Sequence, residues 1–195
     1  HVGGIAMRGA EKSKLEAKND GIIKFNNLNW VVNQEGTLVV VNRNASIAIL
    51  DHRGREIEHY QVPYGARVLL KDGDQVKARQ EFAEWDPFST FILTEEAGRV
   101  RFRDVVLGIS MDEIRDDFTG LISQVITDPK DEKLQPMVEI IDPNQKDEHG
   151  EPLVKKRYFL PKGANLDVKD GDEVFAGDIL AKIPREVART KDITG

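Results

Sequence analysis

Cysteine is absent from all 195 residues. That excludes disulfides, thiolate metal sites and cysteine nucleophiles together, and it fits a reducing cytoplasm. No apolar run approaches the roughly 20 residues that span a bilayer, and no signal-peptide pattern is read at the start. A basic excess is missing too: 28 Lys and Arg stand against 34 Asp and Glu, a formal net charge of −6. A chain that grips nucleic acid through its own surface usually carries a basic stripe. Here the one tight basic run, Lys155-Lys156-Arg157, leads into an expected strand at 158–160 and reads as its solvated start. Direct contact with nucleic acid or membrane is therefore not expected. What remains, 39% hydrophobic and 32% charged residues, is the balance of a globular protein, with length for one large or two small domains. The first residue is His1, not Met, which suggests a piece of something longer.

A repeat organises the chain. Tyr60-Gln-Val-Pro63-Tyr-Gly65-Ala66 is followed by Lys71-Asp72-Gly73-Asp74-Gln-Val76-Lys-Ala78. The same pattern returns 98 positions later as Tyr158-Phe-Leu-Pro161-Lys-Gly163-Ala164 and Lys169-Asp170-Gly171-Asp172-Glu-Val174-Phe-Ala176. Identities fall on turn formers and apolar positions, which dictate backbone shape, so the match implies shared structure. Asp72-Gly73 and Asp170-Gly171 read as two-residue turns of tight hairpins. Val76, Phe82 and Ala83, with Val174, Leu180 and Ala181 in the second copy, are expected to face a small β core.

A fainter echo begins each copy: Gly21-Ile-Ile-Lys-Phe25 and Gly98-Arg-Val-Arg-Phe102 alternate apolar and basic residues as half-buried strands do. Strand-turn pairs follow, Ile47-Ala-Ile-Leu-Asp51 before Arg53-Gly54 and Val138-Glu-Ile-Ile-Asp142 before Pro143-Asn144. Further strands are expected at 38–41, 67–70, 91–94 and 105–107, and an exposed loop at 142–150. Ser110-Met-Asp-Glu113 has capping-box spacing and Ile114 with Phe118 could share a helical face. An all-β setting argues for a strand there, and both readings stay open. Residues 6–17 read as a linker, with room for a turn of helix. The expected organisation is an all-β chain: an arm and linker at 1–16, modules at 17–93 and 94–187, and a second arm at 188–195.

Gly171-Asp-Glu-Val174 followed by Leu180-Ala181 is similar to biotinyl and lipoyl carrier domains. Those carriers need a lysine at an exposed hairpin tip. No lysine stands near the expected tip of the first copy, and Lys182 in the second is followed by Ile183-Pro184. Carrier function is one alternative, and a free-standing β-rich interaction module is another.

The ends carry the most specific signal. His1-Val2-Gly3-Gly4 and Thr190-Lys191-Asp192-Ile193-Thr194-Gly195 resemble the two arms of the trigger loop in the β′ subunit of bacterial DNA-directed RNA polymerase. Between those arms many members carry an insertion of sandwich-barrel hybrid motifs, compact β units akin to the carrier fold. Val-Pro-Tyr-Gly-Ala at 62–66, Trp-Asp-Pro at 85–87, Val-Arg-Phe at 100–102, Thr-Gly-Leu at 119–121 and Tyr-Phe-Leu-Pro at 158–161 look like that insertion's recurring segments. Loop content at 128–134 and 142–154 departs from them.

The resemblance implies two tandem sandwich-barrel hybrid modules inside a nucleotidyltransferase. It makes His1 the one catalytic position, reaching the triphosphate when the trigger loop closes. Imidazole suits that place because its pKa lies near the working pH. No cofactor is expected in this stretch. The aspartates that hold Mg2+ and the cysteines that hold Zn2+ would lie elsewhere in the parent. Implied partners are the β subunit, the rest of β′, α, ω and the sigma factor, with elongation and transcript-cleavage factors. His52, His59 and His149 are scattered and read as structural, and Asp72, Asp74, Asp170 and Asp172 as turn chemistry, not a calcium site.

Overall fold

The computed structural model describes residues 12–184, and every regular element among them is a strand. The first half supplies β1 (Ser13–Glu16), β2 (Gly21–Asn26), β3 (Trp30–Val32), β4 (Leu38–Val40), β5 (Ala45–Leu50), β6 (Glu56–Val62), β7 (Arg67–Val68), β8 (Gln75–Val76) and β9 (Glu81–Trp85). The second supplies β10 (Ser89–Leu93), β11 (Gly98–Arg103), β12 (Met111–Arg115), β13 (Ile122–Ile126), β14 (Met137–Lys146), β15 (Pro152–Phe159), β16 (Asn165–Leu166), β17 (Glu173–Val174) and β18 (Ile179–Pro184).

Each strand of the first set has its counterpart nine strands on. The five-stranded sheets run β1-β9-β7-β4-β3 and β10-β18-β16-β13-β12, and the four-stranded sheets run β6-β5-β2-β8 and β15-β14-β11-β17. The fold is all-β, as the turn-rich alternating sequence predicts, and the duplication extends through the whole topology.

The chain divides into two compact units between Pro87 and Phe88. Residues 13–16, read from sequence as linker, form β1 against β9 with Ser13 opposite Trp85, because Lys14-Leu15-Glu16 alternates and packs Leu15 on the first core. Residues 89–93, placed by the sequence reading in the first module, build β10 against β18, with Ser89 opposite Pro184. The second unit therefore starts at Phe88 rather than at residue 94.

Each unit packs its two sheets around its own core. In the first, Ile23, Ile47, Ile49 and Val76 of the four-stranded sheet meet Leu38, Val40, Val68, Phe82 and Ala83 of the five-stranded one. In the second, Val100, Val138, Ile140 and Val174 meet Ile126, Leu180 and Ala181. The six positions expected to face a core all do. Phe82 is fully buried and meets Tyr60 edge-on at 5.4 Å. Truncating such a buried ring costs about 3–5 kcal/mol.

The repeated turns make repeated hydrogen bonds. Gly65 and Gly163 donate to the carbonyls of Val40 and Ile126, each at 2.8 Å. Asp72 Oδ1 accepts from the Phe25 amide and Asp170 Oδ1 from the Phe102 amide, again at 2.8 Å. Asp74 and Asp172 accept from the amides of Lys71 and Lys169 at the same distance. These carboxylates hold turns, as read from the sequence.

The Asp-Gly turns are not hairpins, however. β7 and β8 belong to different sheets, as do β16 and β17, so each turn carries the chain from one sheet to the other. The local residue code for a tight turn is the same whether or not its flanking strands pair. Residues 105–107 form no strand; Leu107 makes one isolated bridge to Met111. Pro143-Asn144 lies within β14, and the turn falls later, where the Gly150 amide donates to the Asp147 carbonyl at 3.1 Å. Residues 111–115 are strand β12, paired with β13.

Candidate interaction surface

His1 lies outside the described residues, as do both terminal motifs, the start of the expected arm and linker at 1–16, and all of the expected second arm at 188–195. The other histidines stay apart. His52 sits in the turn between β5 and β6; on β6, His59 Nδ1 lies 3.5 Å from Glu56 Oε1; the His149 amide donates to Asp147 Oδ1 at 2.8 Å. Among the described residues no three His, Asp or Glu side chains converge to hold a metal ion. No described helix is long and apolar enough to cross a membrane. Lys182 lies within β18, opposite both Phe91 and Asn165, with Nζ 3.9 Å from Asp167 Oδ1. A lysine in the middle of a doubly paired strand is not at a hairpin tip.

The most built polar arrangement was not anticipated from the sequence. It lies on the second unit's four-stranded sheet, on the face away from the core. Because Val100, Val138 and Ile140 point into the core, their neighbours along each strand point the other way. Three cross-strand rows result: Arg103–Met137–Phe159, Arg101–Glu139–Arg157 and Arg99–Ile141–Val154.

Glu139 sits at the centre of this grid with its side chain 0% exposed. Arg101 donates from Nε and Nη2 to Oε1, each at 3.0 Å. Arg103 Nε adds a third bond to Oε1 at 3.2 Å, and Arg157 Nε donates to Oε2 at 2.9 Å. Burial alone would raise the Glu139 pKa, but the bonds from Arg157, Arg101 and Arg103 outweigh it and hold the carboxyl below its ordinary value. The arginines rise past it toward solvent, with side chains 29%, 52% and 56% exposed for Arg101, Arg103 and Arg157. The equivalent row of the first unit reads Lys24–Ala48–His59, with no carboxylate at its centre. A sequence signal existed: a lone glutamate inside Met-Val-Glu-Ile-Ile, opposite strands with arginine at alternate positions.

A second exposed feature is the tip of the β12–β13 hairpin, where Phe118 is 98% and Leu121 68% exposed. Asp116 shapes that turn by accepting the amides of Phe118 and Thr119 at 2.8 and 3.1 Å.

No family model matches the chain. Among curated proteins, it is 49% identical over all 195 residues to "DNA-directed RNA polymerase subunit beta'" of Koribacter versatilis (strain Ellin345). The chain spans 13% of the length of that relative.

Proposed function

We propose that the chain is a segment of the β′ subunit of a bacterial DNA-directed RNA polymerase, inserted between the two arms of its trigger loop as a pair of sandwich-barrel hybrid modules. The observation that carries this reading is the 49% identity, over all 195 residues, to part of a β′ subunit of which the chain spans 13%. The terminal motifs support the location: His1-Val-Gly-Gly and Thr190-Lys-Asp-Ile-Thr-Gly195 resemble the ends of the two arms.

In this reading the parent joins nucleoside triphosphates to an RNA 3′ end in the cytoplasm, with metal ions held elsewhere in β′. His1 belongs to the arm that closes over the triphosphate. There it orients the phosphates and supplies a proton or positive charge to the departing pyrophosphate. The two β units carry no reacting group. They act mechanically: folded bodies fixed between moving arms travel with them, so contacts made in only one state bias closure. A bias of about 1.4 kcal/mol changes the populations tenfold. The surfaces that make those contacts belong to β and the rest of β′, with α, ω and sigma in the same assembly.

The test is deletion of residues 5–189 from the β′ subunit, followed by single-round elongation. Nucleotide addition persists and pause lifetimes change. Unchanged pausing and transcript cleavage would overturn the mechanical role.

A further inference from the structure

We propose that the arginine grid on the outer face of β11, β14 and β15 is a docking surface for a carboxylate-bearing protein surface, seated on Arg103, Arg157 and Phe159. That its partner lies within the same polymerase rests on the function proposed above.

The first argument is that the fold does not need the cluster. The two units share every strand and every sheet, yet at the centre of the equivalent row the first has Ala48, fully buried, between Lys24 and His59. A sheet that is built with alanine at this point does not require a buried carboxylate and three guanidinium groups.

The second argument is charge. Arg101 already meets Glu139 Oε1 through two nitrogens. Arg103 and Arg157 each reach Glu139 through Nε, and about half of each side chain remains exposed, 52% and 56%. Counting Arg99, four arginines face two carboxylates, Glu139 and Glu173, in a chain whose net charge is −6. The surplus is local and set against the character of the molecule.

The third is preorganisation. Holding an arginine in one geometry costs side-chain entropy on binding. Glu139 meets that cost in the free protein, because it already fixes three guanidinium stems and leaves their outer edges presented. Phe159, 62% exposed, lies two residue pairs along from Arg157 on the same face, beside buried Met137. Arginine, aromatic and methionine side chains on one face are the composition of protein interfaces. A nucleic-acid strand is the poorer fit, because a continuous phosphate backbone calls for an extended basic stripe, whereas this surplus is one local patch in a chain of net charge −6.

The test uses intact polymerase whose β′ subunit carries this chain, with p-benzoylphenylalanine in place of Phe159. Irradiation should yield a cross-link that maps to an Asp- or Glu-rich segment of another part of the enzyme. Its yield should fall several-fold as salt rises and in Arg103→Gln and Arg157→Gln backgrounds, which leave Arg101 on Glu139. The same probe at Val32, exposed in the first unit, gives the background. Cross-links to DNA or RNA overturn the proposal, as does a yield at 159 no greater than at 32. Normal cross-linking alongside unchanged pausing on deletion would leave this surface standing and remove only the mechanical role.

Discussion

Arg79 holds in the first unit the left-handed position that Gly177 holds in the second, at φ 70° and 87°. Both amides make the same bond, to the carbonyls of Ala17 and Thr94 at 2.6 and 2.7 Å. The backbone path is thus fixed by the sheets, and the side chain at this corner is a local cost, about 1–2 kcal/mol for a residue with a Cβ. Gly177→Arg should lower the urea midpoint of the second unit by an amount equivalent to about 1–2 kcal/mol. Arg79→Gly should raise that of the first by up to about 1 kcal/mol, the relieved strain exceeding the entropy that glycine adds to the unfolded chain. Two shifts of the same sign would contradict the equivalence.

Gly21 and Gly98 open the central strands β2 and β11, and neither has room for a side chain. A Cβ on Gly21 would stand 2.5 Å from both Ile49 Cγ2 and the Leu50 carbonyl oxygen; on Gly98 it would stand 2.7 Å from Ile140 Cγ2 and the Ile141 oxygen. The carbonyl cannot swing aside without breaking the ladder. Gly21→Ala and Gly98→Ala should each destabilise their own unit by about 1–3 kcal/mol, measured by chemical denaturation with a probe in each unit.

Glu139 makes the second unit acid-sensitive, as Glu58, whose carboxyl is also held below its ordinary value, does the first. Its folded pKa lies below the ordinary value of 4.5, so its carboxylate stabilises the fold above that value and the contribution is lost as pH falls through the lowered one. As pH falls below 4.5 and on through the lowered folded value, the second unit should lose stability that a Glu139→Gln variant has already lost. At neutral pH that variant should be weaker by about 2–3 kcal/mol, less than for a sealed ion pair because the arginines regain water. Identical acid profiles for the variant and the parent chain would refute this.

Each unit has its own core, so each should fold alone. Fragments 12–87 and 88–184 should each give one cooperative thermal transition with the far-ultraviolet signature of β structure. A fragment ending at residue 93 would take β10 from β18, so 94–184 should be markedly less stable than 88–184. Equal melting of the two versions would show that β10 contributes nothing.

Much of the architecture was legible because backbone shape is written in turn formers and alternation. Gly65 and Gly163, the four turn aspartates and the six core positions declared two copies of one β unit. Pairing was less legible, since a register is a long-range choice. Nothing local distinguishes the Asp72-Gly73 turn, which crosses between sheets, from a hairpin. Nor does polar Ser13-Lys-Leu-Glu16 reveal that β9 waits 70 residues away to pair with it. The grid around Glu139 left only a faint trace, the lone glutamate in an apolar strand, for the same reason: its three arginines come from two strands separated by more than fifty residues, and only the register brings them to one carboxylate. The role given to His1 rested on resemblance throughout.

The first and last strands of each unit are partners, Ser13 across from Trp85 and Ser89 across from Pro184. The polypeptide therefore comes in and goes out at a single doorway. A host loop that accepts such a unit need not spread its two stumps apart, and a gene could gain or lose a copy without disturbing what lies on either side. Copy number becomes a variable that evolution can adjust in whole steps.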